Sequence, residues 1–439
     1  MAQEEKLSLA EVTAIGIGGM IGGGSFAVLG LAISVSGHAV ALSLAGGGVI
    51  ALLTGLSYAH LGLRFRSDGG SFTYIEQAFN APSVAGLAGW LLVIGYIGTI
   101  ALYATAFGDY GAALVKRIHV FSPQADMLAA VSLLLFLAIN LTGAKASGRV
   151  ELSVVAAKLS ILALFVVAGM TSIHASHFTP VFNHGIFTPV VAIALVFVAY
   201  EGFELIPNAV DEMENPERNL KRAIMLAIGI TIVVYVLVAL VALGNLTPAQ
   251  IQHDQEYVLA VAATPTLGKA GFILIGIAAL LSTSSTINAT LFGAARLAKV
   301  MAAESHALPR IFSMQSRKCP VPYVALLILT ALSILLSVAA NLDIISTLVS
   351  VTFLLIFMAV NFSACRLSKE IGLYPLWPFL GGLLAAGSCA MLLWHAWLHD
   401  RHSLLWLCVF YGAVIMPEGV LVLWRGRRTI KATSPKGSS

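Results

Sequence analysis

The chain has 439 residues, of which 58% are hydrophobic and only 10% are charged, with a formal net charge of +4. Ordinary soluble domains carry about 25% charged residues, so this composition excludes a soluble globular protein. Long apolar segments along the whole chain indicate a polytopic membrane protein instead.

Apolar segments that can cross a bilayer recur from one end of the chain to the other. A membrane-spanning helix needs about 20 mainly apolar residues. On this basis the sequence predicts an all-α integral membrane fold with twelve spans at residues 10–36, 38–62, 82–115, 125–143, 149–172, 188–213, 221–244, 269–298, 322–340, 343–364, 374–397 and 403–424. The segment before the first span is polar, so the first span itself is predicted to direct insertion.

The first span contains the glycine-rich run GIGGMIGGGSF at 16–26. Glycine weakens a helix interior by up to about 1 kcal/mol per residue, so three successive glycines predict a local break. Irregular backbone at membrane depth survives only where it lines a cavity or is buried in protein. Close helix packing through small residues is the alternative. The run does not match a dinucleotide-binding G-x-G-x-x-G loop, because Ile21 and Ala27 occupy its last position.

Lys158 is the only basic residue that falls deep inside an apolar span. It lies in the fifth span about 14 Å from Arg149, near the middle of a hydrocarbon core about 30 Å thick. A charged amine is costly at that depth, so the sequence predicts a partner and a functional role for Lys158. The alternative, a side chain that reaches to the interface, is disfavoured because its four-carbon stem is short for that distance.

The sixth span predicts a second break. Its apolar residues run to Tyr200 and are followed by Glu201, Gly202, Glu204 and Pro207. Spans one and six would then each open a five-span half. Residues 10–172 and 188–364 are therefore predicted to be inverted repeats, with two further helices at 374–424 and a cytoplasmic tail at 425–439.

Two broken helices that face each other have a chemical consequence. The free N–H groups at the start of a half-helix suit a carboxylate, whereas free carbonyls at the end of the other half suit an ammonium or a small cation. An α-amino acid carries both groups. The breaks together therefore predict an amino acid site.

The Lys and Arg residues predict cytoplasmic termini. An even number of spans places both termini on one side of the membrane. The outer loops then hold only Lys116, Arg117, Lys269 and Arg401, and the tails and inner loops hold the other basic residues apart from Lys158. Cytoplasmic loops are enriched in Lys and Arg, which predicts a multi-pass protein of the cell (inner) membrane.

Several other polar groups carry no assigned role. His174, His177 and His184 share an outer loop, but their loose spacing and the lack of a cysteine or carboxylate beside them argue against a metal site. Asp109 and Glu418 are ionisable residues within spans and have no partner assignable from sequence. No nucleophile–base pair, phosphate loop or cofactor motif is evident, which argues against a membrane enzyme.

Four segments resemble the amino acid-polyamine-organocation transporter superfamily. They are GIGGMIGGGSF (16–26), DGGSFTYIEQAF (68–79), FVAYEGFE (197–204) and DEMENPERNLKRAI (211–224), and with the twelve-span layout they cover nearly the whole chain. The chain is similar to prokaryotic proton-coupled, broad-specificity amino acid transporters. In these a lysine on the fifth span stands in for a sodium ion, and Lys158 occurs at that position.

The resemblance implies a fold of two inverted five-helix repeats plus two helices, which works by alternating access. It implies that Lys158 lies beside the carbonyl of Gly18, opposite Ser282 and Ser285 on the eighth span, and that these four residues couple transport to protons. It also implies a substrate site in which amides of the first span hold a carboxylate and carbonyls of both breaks accept from an amino group. The implied substrate-binding residues are Ile21, Gly22, Gly23, Gly24, Ser25, Phe197, Tyr200, Glu201 and Gly202.

The function predicted is secondary active transport of amino acids by proton symport, with Lys158 releasing the first and eighth spans when it loses its proton. The expected partners are the amino acid, protons and the lipid bilayer, with no cofactor, metal or nucleic acid. Exchange, or transport of a polyamine or another cation by the same fold, is the alternative. Some relatives carry an uncharged residue at the position of Glu201, so the charge of the substrate is left open, as is the oligomeric state.

Overall fold

The structure is a computed structural model that describes residues 6–67, 69–118, 123–143, 148–303, 308–315 and 321–412, apart from the side chains of Ser25 and Pro82. Within these residues the long elements are all helices, and the backbone bridge between Leu7 and Met213 is the only β-type pairing. Glu418, the end of the twelfth span and the 425–439 tail lie outside the described residues.

Helices occupy the predicted spans. The first five are Leu9–Ser36, Val40–Arg64, Pro82–Ile118, Ala125–Leu141 and Gly148–Gly169, and the 3-10 turn Met170–Ser172 continues the fifth. The sixth combines the α-helix Thr188–Leu195 with the 3-10 helices Val196–Tyr200 and Phe203–Glu212. The seventh to eleventh are Pro216–Asn245, Thr264–Ala303, Tyr323–Ala339, Leu342–Arg366 and Leu376–His399, and residues 401–412 of the twelfth are helical.

The outer surface of the bundle is apolar. Large hydrophobic side chains are strongly exposed on several spans, including Val167 at 69%, Leu335 at 64% and Trp397 at 65%. Lipid tails solvate such side chains and water does not. Among the described residues, eight helices are long and apolar enough to cross a membrane, and three shorter apolar helices accompany them. The predicted all-α membrane fold is confirmed.

The first span lies at the centre of the bundle and packs against the fifth, sixth, seventh and eighth spans. Its start is fixed by a capping box, in which the Glu11 carboxylate accepts from the Ser8 amide at 2.9 Å and the Ser8 hydroxyl accepts from the Glu11 amide at 3.4 Å. The Leu7 amide donates to the Glu212 carbonyl at 2.7 Å, and the Glu214 amide donates to the Leu7 carbonyl at 3.0 Å. The start of the first span is therefore tied to the end of the sixth.

Candidate functional site

The first span breaks at a single residue. Ile21 has φ −80° and ψ 20°, whereas Gly22 to Gly24 remain helical. The break is therefore narrower than three successive glycines predict. The physical reason is that the glycines are held by close neighbours: a Cβ atom on Gly22 would overlap the side chain of Thr286 on the eighth span.

The rest of the glycine run also makes close contacts. A Cβ atom on Gly23 would overlap the ring of Tyr103 on the third span. One on Gly24 would overlap the backbone of Ala199 on the sixth span. Gly22, Gly23 and Gly24 therefore serve close helix packing, the alternative reading of the glycine run, and the break itself is at Ile21.

The sixth span breaks at Glu201 and Gly202 and touches the first break there. Glu201 is extended at φ −62° and ψ 140°, and Gly202 has φ 126° and ψ −28°, a conformation that favours glycine. A Cβ atom on Gly202 would lie 2.6 Å from the carbonyl carbon of Gly19 and 2.7 Å from the amide nitrogen of Met20. The two broken helices therefore meet backbone against backbone.

Tyr235 of the seventh span joins the two breaks through one hydroxyl. Its single O–H proton is shared between the Met20 carbonyl at 2.5 Å and the Ala199 carbonyl at 2.9 Å, and its side chain is 1% exposed. Each carbonyl lies within two residues of a break. Tyr235 could not be singled out from the sequence, because it occurs in an unbroken apolar helix with no motif around it.

Replacing Tyr235 with phenylalanine is expected to destabilise the protein by about 1–3 kcal/mol, because two buried carbonyls lose their side-chain donor. The melting temperature of the purified protein in detergent measures this change. Tyr374→Phe is the matched control, since Tyr374 is 68% exposed. Equal melting temperatures for the two variants would contradict a bridging role for Tyr235.

Two buried carboxyls lie at the second break. Glu201 and Glu204 are each 3% exposed. The Thr99 hydroxyl donates to both oxygens of Glu201, at 3.0 and 2.8 Å, and the Gly202 amide donates to Glu204 Oε2 at 2.6 Å. Within the described part of the chain, Glu204 Oε1 is buried without a hydrogen-bond partner. Glu201 thus bonds to the third span and also lines a cavity of about 10 Å³ between the breaks, with Gly19 and Gly202 in its wall.

The side chains of two predicted substrate residues make contacts within the protein. The Tyr200 hydroxyl donates to the Leu44 carbonyl of the second span at 2.7 Å. The Phe197 ring packs edge-on against Phe357 of the tenth span, with ring centroids 5.6 Å apart. The Tyr200 ring also packs edge-on against Tyr235, with ring centroids 5.4 Å apart. The side chain of Ser25 lies outside the described residues.

Lys158 is buried against the first break. Its side chain is 1% exposed, and Nζ donates to the Gly18 carbonyl at 3.3 Å. The Thr286 hydroxyl of the eighth span shares its one proton between the same carbonyl, at 3.3 Å, and the Ser282 carbonyl of its own helix, at 3.0 Å. One carbonyl of the first span thus links the fifth and the eighth spans.

The two serines expected beside Lys158 have other surroundings. Ser285 donates to the Glu151 carboxylate, at 3.1 Å to Oε1 and 2.9 Å to Oε2. Ser282 is fully buried, and its hydroxyl has no hydrogen-bond partner among the described residues. The hydroxyl that shares the Gly18 carbonyl with Lys158 therefore belongs to Thr286, and in the described part of the chain neither serine hydroxyl is hydrogen-bonded to Lys158. The adjacent threonine at 286 occupies that position because a shift of one residue turns a side chain by about 100° around the helix.

A cavity, called the vestibule below, leads to this contact from the end of the bundle where the first span begins. Its volume is about 230 Å³. It reaches Gly18 and Gly19 at its inner end. Its polar and charged lining comes from spans five, six and eight, namely Glu151, Asn208, Glu212, Ser285, Thr286, Asn288 and Arg296.

Comparison with known proteins gives a consistent result over nearly the whole chain. The family model described as Amino acid permease matches residues 7–426. The uncharacterized protein MJ0609 of Methanocaldococcus jannaschii is 34% identical, and the alignment covers 96% of this chain and 94% of that protein. The inner membrane transport protein YbaT of Escherichia coli is 29% identical over 97% of each chain. The vacuolar cationic amino acid transporter 8 of Arabidopsis thaliana is 28% identical over 92% of this chain and 72% of that protein.

Proposed function

The chain belongs to the amino acid permease family, and from this premise we propose that it is a proton-coupled amino acid symporter in which Lys158 responds to the proton. It is a multi-pass membrane transporter of amino acids rather than an enzyme. The proposal includes inverted repeats at 10–172 and 188–364 and two added helices at 374–424. It also places the protein in the inner membrane, with both termini on the cytoplasmic side.

The observation that carries the proposal is the buried contact between Lys158 and Gly18. A protonated amine donates strongly to the Gly18 carbonyl and binds the fifth span to the first beside its break. A neutral amine is a weaker donor, so loss of the proton loosens this contact. Burial of an ammonium is costly, and its proton occupancy is therefore coupled to the arrangement of the helices around it.

The proposed substrate site lies between the two breaks. The amides of the first span near its break take the carboxylate, and the carbonyls of both breaks accept from the amino group. The bonds that Tyr235 makes to Met20 and Ala199 support this role, because they show that carbonyls beside the breaks accept donors. The proposed substrate-binding residues are Ile21, Gly22, Gly23, Gly24, Ser25, Phe197, Tyr200, Glu201 and Gly202.

The size of the space between the breaks supports alternating access. The cavity at Glu201 and Gly202 holds about 10 Å³, which is less than an amino acid requires. The vestibule has a much larger volume, about 230 Å³. Substrate entry therefore requires the first and sixth spans to separate, and the contacts that hold them together become part of the transport cycle.

Glu201 and Glu204 favour a second candidate, transport of a cationic substrate. Both carboxyls are buried beside the proposed site, and a cationic side chain of a ligand would be attracted to them. A relative named for cationic amino acid transport is consistent with this candidate.

Exchange of one amino acid for another uses the same breaks and needs no net proton movement.

Acidic amino acids are expected to compete poorly for transport, because an ionised Glu201 repels a second carboxylate. Glu201→Gln should improve competition by glutamate at least about tenfold, since like-charge contacts cost several kcal/mol. Inhibition of tritiated leucine uptake into proteoliposomes measures this effect, with the exposed Glu370→Gln as the control. Glutamate that competes as well as leucine or lysine with the wild type would refute the assignment.

Uptake by purified protein in sodium-free liposomes tests the proposed function. Labelled alanine, leucine, lysine and glutamate are offered with and without an inward proton gradient. We expect at least one of them to accumulate above its external concentration only when the gradient is present. Equilibration without accumulation would indicate exchange or facilitated diffusion, and no uptake of any amino acid would refute amino acid transport.

A further inference from the structure

Glu151 lies where the vestibule meets the contact of Lys158. It belongs to the first turn of the fifth span, is half-buried and lines the vestibule. Ser285 holds its carboxylate from the eighth span at 2.9 and 3.1 Å. A carboxylate in the wall of an open cavity can exchange protons with water.

Glu151 and Lys158 point to the same residue of the first span. They are seven residues apart, which is about two helical turns and places them on one face. Lys158 Nζ contacts the Gly18 carbonyl, and the Glu151 carboxylate packs where a side chain of Gly18 would start. Only the absence of a side chain at Gly18 leaves room for this arrangement.

We infer that Glu151 is the group through which Lys158 exchanges its proton with the vestibule, an inference that rests on the proposed function. In one direction the Lys158 ammonium gives a proton to the Glu151 carboxylate through one bridging water, which leaves a neutral amine and a neutral carboxylic acid. The acid then releases the proton to water in the vestibule, and the carboxylate is restored. The opposite sequence recharges Lys158 from that side.

The charges around Glu151 leave it as the innermost titratable group of the vestibule. The first span contributes Glu11 beside Gly148, where Ser8 engages its carboxylate. The sixth and eighth spans contribute Glu212 and Arg296 to the lining, and Arg149 follows Gly148 at the start of the fifth. In the described residues, the seventh span adds no titratable group to the lining. Of these groups, Glu151 is the one that contacts Gly18.

Glu151→Gln tests the inference, because it keeps the shape and a hydrogen-bond acceptor for Ser285 and removes the titratable group. Two readouts are compared in sodium-free proteoliposomes with labelled alanine, leucine and lysine. One is accumulation driven by an inward proton gradient, and the other is exchange of internal for external amino acid at equal pH. We expect accumulation to fall by about 5- to 150-fold, the usual range for coupling between two sites, and exchange to stay at the wild-type level.

Glu212→Gln is the matched control, since its carboxyl lines the same vestibule without a contact to Gly18. It should accumulate and exchange amino acids at the wild-type level. Glu151→Asp retains an ionisable group on a shorter side chain, and we expect slower accumulation with exchange unchanged. If Glu151→Gln does not fold, Glu151→Asp tests the inference alone. A wild-type rate of accumulation in the Asp variant would overturn the proton relay from Lys158 through Glu151.

The other outcomes separate the inference from the proposed function. A wild type without proton-driven accumulation would overturn proton coupling and the relay together. A wild type that accumulates while Glu151→Gln accumulates equally well would overturn the relay alone. Loss of both accumulation and exchange in a folded Glu151→Gln variant would assign Glu151 to a structural or gating role and would also overturn the relay.

Discussion

Replacing Lys158 with alanine is expected to reduce proton-driven amino acid uptake to the level of protein-free liposomes. The variant removes the only amine among the described residues that contacts the Gly18 carbonyl, and with it the group whose protonation is proposed to tie the fifth span to the first. Folding should persist, because the variant also removes the cost of burying an ammonium. Thr286 still donates to Gly18 in the variant. Substrate binding, measured as a ligand-induced rise in melting temperature, should therefore remain.

Lys269→Ala is the control for this prediction, because Lys269 is exposed near the start of the eighth span, directly after its interruption at Gly268. It should transport like the wild type. A purely structural Lys158 would give a destabilised variant whose residual uptake keeps the wild-type dependence on pH. An intact response of Lys158→Ala to the proton gradient would contradict the proposed coupling.

Replacing Gly202 with alanine is expected to abolish transport and to destabilise the protein. The backbone φ of 126° is strained for any residue with a side chain, at about 1–3 kcal/mol. The new methyl group would also lie 2.6 Å from the Gly19 carbonyl carbon, and backbone cannot yield as a flexible side chain does. Overpacking of this kind adds about 1–3 kcal/mol. The two breaks would be pushed apart at the point where they touch.

The melting temperature and uptake of Gly202→Ala are compared with those of Gly229→Ala. A methyl group on Gly229, in the seventh span, would meet no atom within 4 Å. Alanine is a better helix former than glycine by up to about 1 kcal/mol, so this control should be as stable as the wild type or more stable. Wild-type transport by Gly202→Ala would contradict the backbone contact between the breaks.

The helices and their approximate ends could be predicted from sequence because hydrophobic length alone defines a span. The predicted eighth span at 269–298 begins directly after Gly268, where the helix Thr264–Ala303 is interrupted by φ 60°. Composition gave less information on how many residues of the first span are non-helical. Three glycines weaken a helix in isolation, but close packing keeps them helical and confines the irregular backbone to Ile21.

Side-chain partners were harder to predict, because they depend on the rotation and axial offset of each helix against its neighbour. The Gly18 carbonyl was expected beside Lys158 from the family resemblance, and the structure places the two at 3.3 Å. Thr286, next in sequence to Ser285, takes the shared position on that carbonyl. Glu151 had the pattern of an ordinary acid in the first turn of a helix, and only its contact with Gly18 distinguishes it.

Proton movement caused by an amino acid is the most direct test of proton-coupled transport. Sodium-free liposomes that contain the wild-type protein and an internal pH-sensitive dye are given unlabelled alanine, leucine or lysine at equal pH on both sides. We expect a transported amino acid to acidify the lumen, because each substrate enters with a proton, and we expect Lys158→Ala to give no acidification. Amino acid entry without a change in internal pH, or entry that requires sodium, would contradict the account.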